Sequence, residues 1–121
     1  MKLILQATLL GAILLLVPAA ARAGVQEDLV VAAKFFDLEG VKYLLSKGAN
    51  VNAADSHGMI AIFGAAGYPG NIGNLGVVKY LVETAKADVN ARMQTPKGSL
   101  SILQVKTLPY ILDYLREHGA K

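Results

Sequence analysis

Apolar residues recur at helical spacing in several short stretches of the chain. Val41, Leu44 and Leu45 lie at positions i, i+3 and i+4, and the same spacing recurs between Val78 and Val82. Side chains at these intervals fall on one face of an α-helix, so each set predicts a helix with one buried side. The pattern along the chain predicts helices at about 26–35, 38–47, 59–67, 74–84, 99–106 and 108–118.

Glycine, proline and short polar residues mark the ends of these predicted helices. Gly48 and Gly119 each follow a helix, where a left-handed C-cap favours a residue without a Cβ. Pro109 stands in the first turn of the last helix, where its missing N–H is tolerated. Asp55 and Asn90 lie between helices, and we expect their side chains to bond nearby backbone groups. The chain is therefore predicted to form three pairs of helices.

One polar segment of the sequence occurs more than once. Lys-Gly-Ala-Asn-Val-Asn-Ala begins at Lys47, and Lys-Ala-Asp-Val-Asn-Ala begins at Lys86. A shortened third copy, His-Gly-Ala, begins at His118. Each copy follows a predicted helix, so the helix and the polar segment repeat together as one unit.

The spacing of these units gives their period. The equivalent tyrosines Tyr43, Tyr80 and Tyr114 are 37 and 34 residues apart. These spacings fit a repeat of about 33 residues, with four extra residues near 69–72 and one near Ala85. The polar segments become two finger loops, at about 49–58 and 87–98.

The period and the run from Gly48 to Asp55, Gly-Ala-Asn-Val-Asn-Ala-x-Asp, resemble the ankyrin repeat family. The resemblance extends from about Glu27 to the C-terminus. The family's Thr-Pro-Leu-His element is missing, and Ile-Ala-Ile-Phe from Ile60 and Leu-Ser-Ile-Leu from Leu100 stand in its place. The resemblance implies an all-α solenoid of about three helix-turn-helix repeats that binds another protein.

The N-terminal residues 1–23 are typical of a secretory signal peptide. Lys2 precedes an apolar stretch at 3–17, and Ala21-Arg22-Ala23 offers a cleavage site before Gly24. Cleavage after Ala21 is the lesser option. The alternative is a retained anchor, but a helix that spans a bilayer needs about 20 apolar residues. We therefore expect a periplasmic or secreted ankyrin-repeat domain at 24–121.

Composition narrows the range of functions. The chain of 121 residues contains no Cys, so it has no disulfide and no thiolate site. Its formal charge is +3, but removal of Lys2 and Arg22 leaves 10 basic and 9 acidic residues, a charge of +1. This balance does not favour nucleic acid or an anionic membrane. We expect a monomer with one protein partner, no nucleic-acid partner and no membrane contact after cleavage.

The sequence offers little that could support catalysis. His57 and His118 do not have the spacing of a metal site, and no serine lies in a Gly-x-Ser-x-Gly motif. Gly70, Gly73 and Gly76 are spaced as in some phosphate-binding loops, but no predicted strand precedes them and no Lys-Ser/Thr pair follows. We expect no enzyme activity, no cofactor and no metal.

The candidate binding residues follow from the resemblance, which implies contacts through finger tips and the first helix of each pair. The residues near 69–72 lengthen a connection that is very short in the family, and inserted loops of repeat proteins often lie on a binding face. The predicted partner-binding residues on the fingers and beside this loop are Ser56, His57, Met59, Tyr68, Arg92, Gln94 and Lys97.

Within this class, the sequence leaves several biological roles open. The first is an immunity-type inhibitor of a toxin. The second is an accessory or stress-protective factor for a periplasmic redox enzyme. A structural, self-assembling module is a third, from a different class of function.

Overall fold

The computed structural model describes residues 19–121, and its side chains from residue 24 onward. Most of the predicted signal peptide lies outside the described residues. Residues 19–23 begin the first helix, α1, which spans Ala19–Lys34 and so starts before the predicted residue 26. These residues are mostly alanine, the strongest helix former, which accounts for the earlier start.

The first two repeats are built from helices at the predicted places. In the first repeat, α1 packs against α2 (Leu38–Ser46), and Asp37 caps α2 by accepting a hydrogen bond from the Gly40 N–H at 3.0 Å. In the second repeat, α3 (Ala61–Ala65) packs against α1 and precedes α4 (Leu75–Lys79). A π-helical segment, Tyr80–Thr84, continues α4.

The second finger and the third repeat depart from the predicted all-α fold. The second finger contains an antiparallel pair of strands, β1 (Met93–Thr95) and β2 (Gly98–Leu100), with Gln94 opposite Ser99. Gly98 supports the turn between them with a φ of 116°. The prediction of a purely helical fold was therefore wrong at this finger.

The predicted helix at 99–106 was also wrong. Only a 3₁₀ turn, Ile102–Gln104, lies there, and Val105 returns to extended backbone with a ψ of 136°. The side chains of Ser101 and Gln104 form a capping box, which gives hydrogen-bond acceptors to backbone N–H groups at the start of this single turn. Pro109 disfavours a helical conformation at the residue before it, so the 3₁₀ turn cannot continue as a helix into the last helix of the chain. That helix, α5, spans Pro109–Glu117.

Several predicted helix ends are confirmed. Gly48 and Gly119 have φ values of 101° and 100° after the ends of α2 and α5. Pro109 opens α5, and His118 is its C-cap residue. The Oδ1 of Asp55 accepts hydrogen bonds from the N–H groups of His57 and Met59, as expected of a turn residue.

One hydrophobic core runs through the three repeats. Pairs of alanines at 32–33 and 65–66 are buried where α1 meets α3. The largest side chains with less than 2% exposure come from all three repeats, and they include Leu29, Val41, Phe63, Val78, Leu81, Ile111 and Leu115. Because each repeat buries its apolar face against a neighbour, the stack holds the loops between helices at fixed spacing.

Within residues 19–121, no helix combines the length and apolar character needed to cross a bilayer.

Candidate functional site

A groove lies between the inserted loop (residues 67–73) and the hairpin of the second finger. It has a volume of about 480 Å³. One side comes from the inserted loop, another from the hairpin, and the rest from the segment around the 3₁₀ turn. The residues that line it are Tyr68, Pro69, Thr95, Pro96, Lys97, Leu100, Gln104, Val105 and Lys106.

The inserted loop is held in place by hydrogen bonds at both ends. The Tyr68 N–H donates to the Phe63 carbonyl at 3.0 Å, and the Asn71 N–H donates to the Gly67 carbonyl at 2.6 Å. The Thr107 hydroxyl donates to the Ile72 carbonyl at 2.9 Å, which ties the loop to the third repeat. These bonds make the loop a fixed wall of the groove.

The hairpin forms the facing wall, and its own side chains brace its turn. The Thr95 hydroxyl donates to the Gly98 carbonyl at 2.8 Å and accepts from the Lys97 N–H at 3.1 Å. At the base of the hairpin, Arg92 Nε donates to the Ser99 hydroxyl at 2.7 Å. Both walls are therefore ordered before any partner binds, which lowers the entropy lost on binding.

The groove is apolar inside and basic at its edges. Val105 is buried, while Leu100 and Tyr68 are half-buried against the core. Lys97 and Lys106 are exposed; Lys97 lies in the turn of the hairpin, and Lys106 lies on the segment after the 3₁₀ turn. Such a lining suits a ligand that has both an apolar group and a negative charge.

The first finger is a separate surface, tied to α1 by Glu27. The Glu27 Oε2 accepts a hydrogen bond from the Ser56 N–H at 2.6 Å, and Glu27 Oε1 lies 3.7 Å from His57 Nδ1. The pKa of Glu27 is held below its ordinary value. The largest cause is a hydrogen bond from the Ser56 side chain, the next is the hydrogen bond from the Ser56 backbone, and His57 adds to the effect. The carboxylate therefore fixes the finger to the first helix.

The same finger brings together three groups that can bind metals. Each of Glu27, Asp55 and His57 offers one possible ligand atom, and these three atoms lie within 4.8 Å of one another. Asp55 and Glu27 already accept backbone hydrogen bonds of the finger, and the His57 side chain is 83% exposed. These bonds explain the cluster as a brace for the turn. The sequence had no signal for it, because Glu27 lies 29 residues before Ser56, at the opposite end of the same repeat.

The structure distributes the seven predicted binding residues over three places. Tyr68 and Lys97 line the groove together. Arg92 and Gln94 are exposed on the hairpin beside it. On the first finger, Ser56 and His57 are exposed, and Met59 is half-buried against the core.

Sequence reasoning missed other residues of the groove, above all Lys106. It was placed in a predicted helix at 99–106, which gave no reason to expect it beside Lys97. Thr95 and Leu100 were missed because the hairpin itself was not predicted. The one available signal was the pair of Pro96 and Gly98, which is typical of a turn.

Comparison with models of known protein families matches residues 29–56 to the ankyrin repeat. The matched segment contains part of α1, all of α2 and most of the first finger. It includes the run from Gly48 to Asp55 on which the resemblance was based. Comparison with curated proteins gives no match to the chain.

Proposed function

Because the chain carries an ankyrin repeat at residues 29–56, we propose that it is a non-catalytic module that binds one protein partner. An ankyrin repeat implies a protein–protein interaction module, and the step from fold to function rests on this family relation. The observation that carries the proposal for this chain is the groove between two braced walls, the inserted loop and the hairpin.

The mechanism proposed is recognition by a preformed surface. The stacked repeats hold the fingers and the inserted loop at fixed spacing, and the hydrogen bonds of both walls are made within the chain. Little backbone freedom is then lost when a partner docks, so more of the contact energy appears as affinity. Arg92, Gln94 and Lys97 supply polar contacts at the edge of this surface.

We further propose that the protein acts outside the cytoplasm, after removal of residues 1–23. The support is the order of Lys2, the apolar stretch and the Ala21-Arg22-Ala23 pattern. In that compartment, the protein would serve as an immunity-type inhibitor of a toxin. A helper of a periplasmic redox enzyme and a self-assembling structural module are the alternatives, and the identity of the partner decides among them.

Affinity capture tests this proposal. The full chain is expressed with a C-terminal tag and used to retain proteins from a periplasmic extract, in parallel with an Arg92→Glu/Lys97→Glu variant. We expect one stoichiometric partner that the variant loses while its melting temperature changes little, because both side chains are exposed and Arg92 gives up only its surface hydrogen bonds to Ser99. The same mass spectra give the mass of the bait, which begins at Gly24 if the signal is removed.

The matched control is Lys47→Glu/Lys121→Glu, which reverses two exposed charges outside the groove. It should retain the partner as the unmodified chain does. If the unmodified chain and both variants retain the partner equally, the partner contacts a different surface of the protein. A folded bait that retains nothing but copies of itself would favour the structural module.

A further inference from the structure

The charge pattern around the groove indicates what kind of partner segment it takes. Residues 56–82 and 89–112 contain no Asp and no Glu, and these two stretches supply the whole lining of the groove. The nine acidic residues of the chain lie elsewhere. Lys97, Lys106 and the nearby Arg92 therefore create a positive field that no carboxylate of the lining offsets.

Within residues 24–121, the two lysines of the groove form no ion pair. Among residues 24–121, the ion pairs join Glu39 with Lys42, Glu27 with His57, and Asp113 with Arg116. Neither Lys97 nor Lys106 is in one of them. Both ammonium groups are on exposed side chains, and a carboxylate placed in the groove would be attracted by Lys97 on the hairpin and by Lys106 after the 3₁₀ turn.

The apolar part of the lining adds a second requirement. Tyr68, Pro69 and Leu100 present ring and aliphatic surface in the same lining as the two lysines. A volume of about 480 Å³ is within the range of pockets that enclose small ligands, about 300–1,000 Å³, and is far too small for a folded domain. The groove therefore suits a few consecutive residues of a partner.

From these observations we propose that the groove binds a short acidic segment of the partner protein, with an apolar side chain seated against Tyr68 and Leu100 and carboxylates facing Lys97 and Lys106. This inference rests on the proposed protein-binding function and specifies the chemistry of the partner. Nucleic acid fits less well, because its affinity depends on many phosphate contacts and the groove offers only two lysines with Arg92 beside them.

The geometry also predicts how binding responds to conditions. Attraction between the exposed lysines and carboxylates is screened by salt, so affinity should fall as ionic strength rises. The apolar contact is not screened in this way, and so a neutral peptide with the same apolar residue should bind weakly at every salt concentration.

Selection from a displayed library of random linear peptides tests the proposal. The full chain is the target, and Lys97→Glu/Lys106→Glu, Lys97→Arg/Lys106→Arg and Lys47→Glu/Lys121→Glu serve as comparison proteins. We expect the enriched peptides to carry Asp or Glu next to an apolar residue. A synthetic copy should bind about tenfold or more weakly to the Lys97→Glu/Lys106→Glu variant, and normally to the other two.

Enrichment of neutral or basic peptides, equal binding to the charge-reversed groove, or no enrichment at all would overturn the proposal. Preference for a single-stranded oligonucleotide over every peptide would overturn it as well. The two proposals fail separately. If the unmodified chain and Lys97→Glu/Lys106→Glu capture the same partner from the periplasmic extract, the protein-binding function stands, but the groove is not the binding site.

Discussion

At the scale of single residues, asparagines of the repeated Val-Asn-Ala triplets join one repeat to the next. Asn52 Oδ1 accepts a hydrogen bond from the Asp88 N–H at 2.7 Å. Asn90 makes the equivalent link to the last repeat, where its side chain donates to the Gly119 carbonyl and accepts from the Lys121 N–H, both at 2.9 Å. The prediction that Asn90 bonds nearby backbone was therefore wrong, because its partners lie in the next repeat.

Replacement of Asn52 tests this link. Asn52→Ala leaves the Asp88 N–H without its protein acceptor, and we expect the free energy of unfolding to fall by about 1 kcal/mol. For a domain of this size, the melting temperature should drop by about 4–8 °C. Urea and thermal unfolding followed by circular dichroism measure both quantities.

Gln94→Ala is the matched control. The Gln94 side chain is exposed, and it takes no part in the side-chain hydrogen bonds that brace the hairpin. It should unfold like the unmodified protein. If Asn52→Ala unfolds like Gln94→Ala, the asparagine link does not stabilise the stack.

At the scale of elements, the inserted loop depends on one glycine. Gly73 has a φ of 84°, and a Cβ at this position would lie 2.5 Å from the Ala66 carbonyl oxygen and 2.6 Å from the Thr107 hydroxyl. The left-handed backbone disfavours other residues, and the two oxygen atoms leave no room for a side chain. The loop can therefore hold its position beside the third repeat only with glycine here.

Substitution of this glycine should disturb the loop. For Gly73→Ala we expect a loss of about 1–3 kcal/mol in the free energy of unfolding, from strain and overpacking, and weaker binding of peptides selected on the groove. Gly70→Ala is the control within the same loop, since no atom of the described residues lies within 4 Å of its Cβ position. Calorimetry that finds the two variants equally stable would contradict the fixed-loop description.

At the scale of the whole molecule, the repeats depend on one another for their core. Leu81 is fully buried in the middle repeat. Close by in sequence, Glu83 Oε2 accepts a hydrogen bond from the Tyr114 hydroxyl of α5 at 2.5 Å. The pKa of Tyr114 is raised above its ordinary value, mainly because the hydroxyl is buried and in addition because it donates this hydrogen bond to Glu83. Damage to the middle repeat should therefore reach both neighbours.

Leu81→Asp tests this dependence. It buries a charge without a partner, which costs several kcal/mol, against a total stability of about 5–15 kcal/mol for a small domain. We expect loss of the helical circular dichroism signal from the entire domain. Thr84→Asp adds the same charge at an exposed position of the same π-helical segment and should leave it folded. A normal melting curve for Leu81→Asp would contradict the proposed register of the repeats.

The sequence by itself determined the features that depend on neighbours along the chain. The turn bonds of Asp55, the glycine caps at Gly48 and Gly119, and the start of α5 at Pro109 were all predicted, because each depends on a few consecutive residues. The periodic apolar faces of α2, and of α4 with the π-helical segment that continues it, were predicted for the same reason, since helical spacing is local.

Only the tertiary structure decided the hairpin, the groove and the links between repeats. Lys97 and Lys106 share a groove because a hairpin and a 3₁₀ turn replace the predicted helix. Tyr68 joins them from the inserted loop, nearly one repeat length before Lys97, and Glu27 reaches Ser56 across a similar distance in sequence. Contacts between residues about one repeat apart depend on how the repeats stack, and that stacking is set by the core as a whole rather than by any short segment.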